Sequence, residues 1–145
     1  MTAPPSHTEP PDEFIETVDR AGCARLLAAV DVGRLAVVAA GRPRIVVLNY
    51  HFDGADVFFR TREDAFVVGL TADDAAVHAE FEVDSAFAAA ESGWSVIASG
   101  LLVREQDARK VATARERVRA WAQGERDVVL RLDVADLSGR RVGRL

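Results

Sequence analysis

Arg60, Thr61 and Arg62 follow one another at the end of an apolar run, Val57-Phe58-Phe59, and immediately precede a helical pattern. A strand end leading into a helix start exposes backbone N–H groups and the positive end of a helix dipole, and arginine adds a fork of donors that matches phosphate or carboxylate oxygens. Together they are chemistry for holding an anion. The competing reading is plain structure, with Arg60 in a surface ion pair with Glu63 or Asp64 and Thr61 capping the helix. Asn49 is the second polar residue of note. It interrupts the apolar strand Ile45–Tyr50, where its amide must find hydrogen-bond partners, backbone groups included.

Other residues capable of chemistry fall into patterns with simpler explanations. His78, Glu80, Glu82 and Asp84 share one face of a strand, but no second cluster completes a metal site, and a solvated face explains them. His51 alternates with Tyr50 and Phe52 and points away from them, to the surface or an interface. Gly93-Trp94-Ser95-Val96-Ile97 lacks the second glycine of a nucleophile elbow, so a hydrolase is not expected. The lone Cys23 sits at an apolar helical position as a buried thiol, and Trp94 and Trp121 suit core or interface packing. Seventeen of the 18 basic residues are arginine, and Lys110 is the single lysine available for a Schiff base or a lysine–phosphate contact. No residue is assigned a catalytic role.

The elements that must position these groups read as follows. Residues 1–12 contain four of the five prolines and suggest a disordered leader, leaving 13–145 as a single domain. Asp19 caps a helix whose stripe is Cys23, Leu26, Leu27 and Val30. Gly33–Val38 is a strand, Gly41-Arg42-Pro43 a turn, and Arg44–Thr61 a β-hairpin about Asp53-Gly54, a dipeptide that tolerates positive φ. A short helix is expected over Glu63–Leu70, and a strand over 77–84 with Val77, Ala79, Phe81 and Val83 facing the core. Trp94–Val103 is small or apolar on both faces, which predicts a barrel interior on one side and a subunit interface on the other. Asp107–Trp121 reads as an amphipathic helix, Val128–Val134 as a strand, and Ser138-Gly139 as a turn before a last segment. Strands in runs without βαβ alternation predict a mainly β protein with α (α+β), an antiparallel barrel of six or seven strands with two or three flanking helices.

Composition narrows the function classes. The chain has 145 residues, is 49% hydrophobic and 28% charged, and carries a net charge of −5. Its basic residues are interspersed with acidic ones, so no footprint for nucleic acid is expected. No segment is apolar for the roughly 18 residues of a membrane span, and no signal-peptide pattern opens the chain, so a cytoplasmic location is the default expectation.

Several short pieces in order resemble one family. They are Val32-Gly33-Arg34-Leu35-Ala36, Val47-Leu48-Asn49-Tyr50, Phe59-Arg60-Thr61, Phe81-Glu82-Val83-Asp84, Gly93-Trp94-Ser95-Val96 with Gly100, Trp121 with Gly124-Glu125-Arg126-Asp127, and Gly139-Arg140-Arg141. This order is similar to that of the pyridoxamine 5′-phosphate oxidase-like proteins with a flavin-binding split barrel. The resemblance implies a homodimer with flavin mononucleotide (FMN) in a cleft between subunits, acting on a small molecule. It further implies an isoalloxazine ring along Val47, Leu48 and Asn49, a phosphate near Arg60 and Thr61, and Trp94 and Trp121 lining the cleft.

One departure bears on the ligand. Family members commonly follow the Arg-Thr pair with Gly, Ser or Thr, and Lys after two variable residues, whereas this chain has Asp64, Ala65 and Phe66. A hydroxyl and an ammonium are lost and a carboxylate is gained, with Arg62 as the compensating donor. Three readings follow: an FMN-dependent oxidoreductase; a reductase of the same fold using the deazaflavin cofactor F420, whose anionic tail would be read by Arg44, Arg62, Arg140 or Arg141; and a cofactor-free dimeric binding module.

Overall fold

The computed structural model describes residues 13–87, 91–122 and 124–144. The expected leader, residues 1–12, lies outside them.

Seven strands form one sheet: β1 (Glu13–Val18), β2 (Val32–Ala39), β3 (Arg42–Phe52), β4 (Val57–Thr61), β5 (Val77–Phe87), β6 (Ser92–Arg104) and β7 (Val128–Arg144). The order is β1-β7-β4-β3-β2-β5-β6, every pairing is antiparallel, and β7 also pairs with β6. Six strands therefore close into a barrel, and β1 is carried outside it on the C-terminal half of β7. Three helices flank the ring: α1 (Arg20–Ala29), α2 (Phe66–Leu70) and α3 (Ala108–Arg117). This is the antiparallel split barrel with α that the strand pattern predicts.

Period-2 alternation places the core. Val37, Leu35, Phe81, Val83, Val96, Leu102, Leu130 and Leu132 turn inward and are buried, each such side chain contributing about 1.5–3 kcal/mol by removal from water. Phe81 lies at its centre, with the rings of Tyr50 and Phe59 edge-on at 4.8 and 4.9 Å. Tyr50 donates its hydroxyl to the carbonyl of Leu27 at 2.5 Å, tying α1 to the barrel. Burial, reinforced by the nearby Asp31 charge, pushes that phenol above its ordinary range. Asp19 caps α1 as expected, its carboxylate accepting from Gly22 N–H.

Several expected boundaries are corrected. β1 has no clear pattern because it packs on one side only, leaving Ile15 exposed. The β2–β3 turn is Ala40-Gly41, both at positive φ, and Arg42 and Pro43 already belong to β3. The β3–β4 connection is four residues long, with Asp53 Oδ1 accepting from the N–H groups of Ala55 and Asp56. α2 begins at Phe66, not Glu63, because residues 62–65 close a turn through Ala65 N–H to the Arg62 carbonyl. α3 ends at Arg117, so Trp121 lies beyond it with 73% of its surface exposed. Ser138 and Gly139 are mid-strand in β7; a Cβ on Gly139 would come within 2.7 Å of Cys23 Sγ, so the glycine allows α1 to seat against β7 and makes no turn. In the single chain β6 is covered on one face, and Ile97 and Leu101 on the other remain exposed.

Candidate functional site

The outer face of the β3–β4 hairpin ends in a cleft of about 370 Å³. Val46, Val47 and Leu48 form one wall from β3, Arg60 and Thr61 close the end from β4, and Ala120 and Ala122 cover it from the segment after α3. Asn49, Arg62 and Arg126 complete its polar lining, with Asp64 beside them. Six of the residues singled out from sequence thus meet at one place: Val47, Leu48, Asn49, Arg60, Thr61 and Arg62. Trp121 meets the cleft through its backbone, donating its N–H to Asn49 Oδ1 at 3.0 Å. Trp94 is half-buried on β6, packed against the core, and is not part of this lining.

The hydrogen bonds show what each polar group does. Asn49 bridges two loops, accepting from Trp121 N–H and donating Nδ2 to the Asp31 carbonyl at 3.5 Å. Arg60 donates Nε to the Arg126 carbonyl at 3.2 Å and Nη1 to the Arg115 carbonyl at 3.1 Å. Its cation therefore rests at the C-terminus of α3, where the helix dipole favours positive charge. Arg62 forms a fork with Asp64, Nε to Oδ1 at 3.0 Å and Nη2 to Oδ2 at 3.2 Å. Those hydrogen bonds, with the guanidinium charge beside them, hold the Asp64 carboxyl below its ordinary range. Glu63 is likewise drawn away, paired with both Nη atoms of Arg104 at 3.1 Å.

Two inferences from sequence change as a result. The acidic pair Glu63-Asp64 does not point unopposed charge into the cleft, because each carboxylate has an arginine partner. Arg62 is correspondingly not a free replacement for the missing lysine. Phe66, at the lysine position, lies under the Arg44 guanidinium at 4.4 Å, a cation–π contact that shields the ring. Arg140 and Arg141 pair with β1 and β6 along β7 and do not join the cleft.

Arg126 is the residue that sequence reasoning passed over. It lies half-buried in the cleft, and no described residue takes its guanidinium in an ion pair. Its motif, Gly124-Glu125-Arg126-Asp127, was a signal; its position opposite Arg60 was not visible. Three guanidinium groups and one carboxylate line this end of the cleft, a positive site on a chain of net charge −5. Beyond Arg62 and Asp64 an adjoining pocket of about 430 Å³ is acidic, walled also by Glu63, Glu125 and Asp127. The arrangement can take an apolar plane along β3 with one anionic group at the arginine end. No group of three or more His, Cys, Asp or Glu among the described residues is placed to hold a metal ion, and no helix is long and apolar enough to cross a membrane.

Comparison with known proteins agrees with this architecture. Residues 19–141 match the family model described as pyridoxamine 5′-phosphate oxidase. The uncharacterised protein Rv0080 of Mycobacterium tuberculosis is 31% identical over 144 residues, covering 97% of this chain and 95% of that protein. Among solved structures, an FAD-binding protein from Mesorhizobium loti superposes with a TM-score of 0.73 at 21% identity, over 92% of this chain and 100% of the other. Another, the FAD-binding protein of Mycobacterium smegmatis, gives 0.65 at 23% identity over 88% and 98%. At these identities the likeness establishes the shared fold.

Proposed function

The chain belongs to the pyridoxamine 5′-phosphate oxidase family, and on that premise we propose that it is a homodimeric flavin-binding oxidoreductase, with FMN held in the β3–β4 cleft and a small organic molecule as substrate. The observation that carries this reading is the positive end of an otherwise apolar cleft in an acidic protein. A volume of about 370 Å³ falls within the range of cofactor sites, roughly 300–1,000 Å³. When bound, flavin supplies the hydride or two-electron chemistry. The chain would supply position: Val46, Val47 and Leu48 as an apolar wall, Arg126 as the donor to phosphate, and Arg60 and Asn49 as the ties that keep the 118–122 segment over the site.

FMN fits the charge pattern better than FAD or F420. A single phosphate ends at the arginines, whereas a pyrophosphate or a longer anionic tail running past Asp64 would enter the acidic pocket of Glu63, Glu125 and Asp127. The dimer rests on exposed apolar side chains of the same sheet. Val38, Ile45 and Val47 are 65%, 71% and 65% exposed on neighbouring positions of β2 and β3, and Val47 also lines the cleft. Covering that face would shelter hydrophobic surface and close the site together.

Titration with FMN, FAD and F420, read by visible absorption and protein fluorescence, tests the proposal alongside mass by light scattering. The expected result is a particle of two chains that binds FMN with a Kd below about 10 μM, near −7 kcal/mol, and prefers it over the other two. If none of the three binds at tenfold that concentration, the flavin reading is wrong.

The Arg62–Asp64 fork makes a second prediction. Because the folded Asp64 pKa is lowered, the pair persists at and above the ordinary carboxylate range and is lost only as pH falls through the lowered value. Mild acid therefore does not release Arg62, but substitution does. Asp64→Asn is expected to strengthen FMN binding about two- to fivefold, the scale of one exposed ion pair. Unchanged affinity would mean that Arg62 stays away from the phosphate even when freed.

A further inference from the structure

α3 packs across the outer face of the barrel through Ala114, which is buried with Phe58, Val118 and Val129 in a small cluster separate from the main core. Beside this contact, between α3 and the β3–β4 hairpin, is a second pocket of about 180 Å³ that shares no lining residue with the flavin cleft. Phe58 and Ala114 form its floor, and Arg109, Lys110 and Thr113 rise from the helix on one side, opposite His51 from β3. The spacing explains the convergence. Arg109 and Thr113 are four residues apart, as are Lys110 and Ala114, so they share one side of the helix. His51 faces the same way because Tyr50 and Phe52 on either side of it turn inward.

Charge is unbalanced there. Arg109 and Lys110 are basic side chains with no ion-pair partner among the described residues, and the imidazole of His51 adds a ring that can donate. The one acid in the lining is Asp53, and its Oδ1 already accepts from Ala55 and Asp56 N–H at 2.9 and 2.7 Å. Asp107, at the start of the helix, is similarly occupied with the N–H groups of Arg109 and Lys110. The result is a small apolar floor with two basic side chains, an imidazole and a hydroxyl at its rim against the single carboxylate of Asp53, which is turned onto its own backbone turn.

We infer that this pocket binds a small organic anion, an apolar body of benzene-ring size bearing one carboxylate or phosphate. The body lies over Phe58 and Ala114, and the anionic group is held by Lys110, Arg109 and His51. The apolar floor separates this ligand from simple inorganic anions, and the cationic rim separates it from neutral aromatics. Because the site shares no residue with the cleft, it stands or falls independently of the flavin proposal.

Lys110 is the single lysine of the chain, so acylation by an amine-selective reagent, read by mass spectrometry of the peptide that contains it, reports on this pocket alone. Benzoate is the probe, with benzamide as its neutral isostere and acetate and inorganic phosphate as anions lacking the ring. Benzoate at about 10 mM is expected to slow Lys110 acylation at least fivefold, with a Kd of about 1 mM by calorimetry, the range open to a nine-atom ligand. Benzamide, acetate and inorganic phosphate at the same concentration should change the rate less than about twofold. Exposed Arg109 can be replaced without touching the core, and Arg109→Gln, with an unchanged thermal melt, should weaken benzoate about tenfold. Equal protection by benzamide would reduce the pocket to an apolar notch, and equal protection by acetate or phosphate would reduce it to diffuse surface charge. Either result, or no protection by benzoate, overturns the assignment.

Discussion

Arg126→Ala is expected to weaken FMN binding by roughly ten- to a hundredfold, because a hydrogen bond to a charged group contributes about 1.5–3 kcal/mol. The size of the effect follows from what the neighbouring arginines are already doing. Arg60 spends two donors on the carbonyls of Arg115 and Arg126, and Arg62 spends its fork on Asp64. Arg126 has no such commitment among the described residues. Riboflavin, which has the ring and lacks the phosphate, separates the mechanisms. If Arg126 reads the phosphate, the variant binds riboflavin within about twofold of the parent. An equal loss for both ligands would assign Arg126 to shaping the wall and return the phosphate to Arg60 or Arg62.

Arg131→Met is expected to destabilise the fold by about 2–4 kcal/mol, or lower Tm by about 6–12 °C, because it leaves two poorly solvated carboxylates without their partner. Arg131 on β7 donates Nε to Glu105 at 2.7 Å and Nη1 to Asp56 at 3.3 Å. The side chains of Arg131, Glu105 and Asp56 are only 21%, 8% and 19% exposed. Burial works against the Arg131 charge, but Glu105, Asp56 and Asp133 more than offset it and raise its pKa above the ordinary value. The arginine therefore stays charged wherever the protein is folded, and the loss in Arg131→Met does not disappear at high pH. Asp56 Oδ1 also accepts from Val134 N–H, so the network pins the hairpin tip and the approach to α3 onto β7. Pairing the change with Glu105→Met tests the cause by thermal or denaturant unfolding. The double variant should be more stable than Arg131→Met alone, and simple additivity of the two losses would show that the carboxylate is not what suffers.

Much of the barrel was legible because its signals are local. The alternation in β5 needs only successive residues, the cap at Asp19 only three, and the positive-φ tolerance of Gly54 only one. The candidate site was legible in part for the same reason, since Asn49, Arg60 and Thr61 lie on the two strands of one hairpin and Arg62 directly follows the second. Boundaries failed where a distant segment decided them. α3 stops before Trp121 as Arg60 and Asn49 take hold of the Arg115 carbonyl and the Trp121 N–H, 55 and 72 residues away in sequence. Ser138-Gly139 looks like a turn, but Gly139 is small because Cys23 of α1 crosses it.

The sequence by itself determined the antiparallel class, the hairpin and the kinds of residue able to meet an anion, because periodicity and turn chemistry depend on neighbours along the chain. Only the tertiary structure decided which cations are available. Arg60 and Arg62 are alike in sequence, yet one is committed to the end of α3 and the other to Asp64, while Arg126 arrives from more than sixty positions later with no ion pair to its guanidinium among the described residues. A charge reads a ligand only after its competing partners have been satisfied, and those partners are brought by the fold.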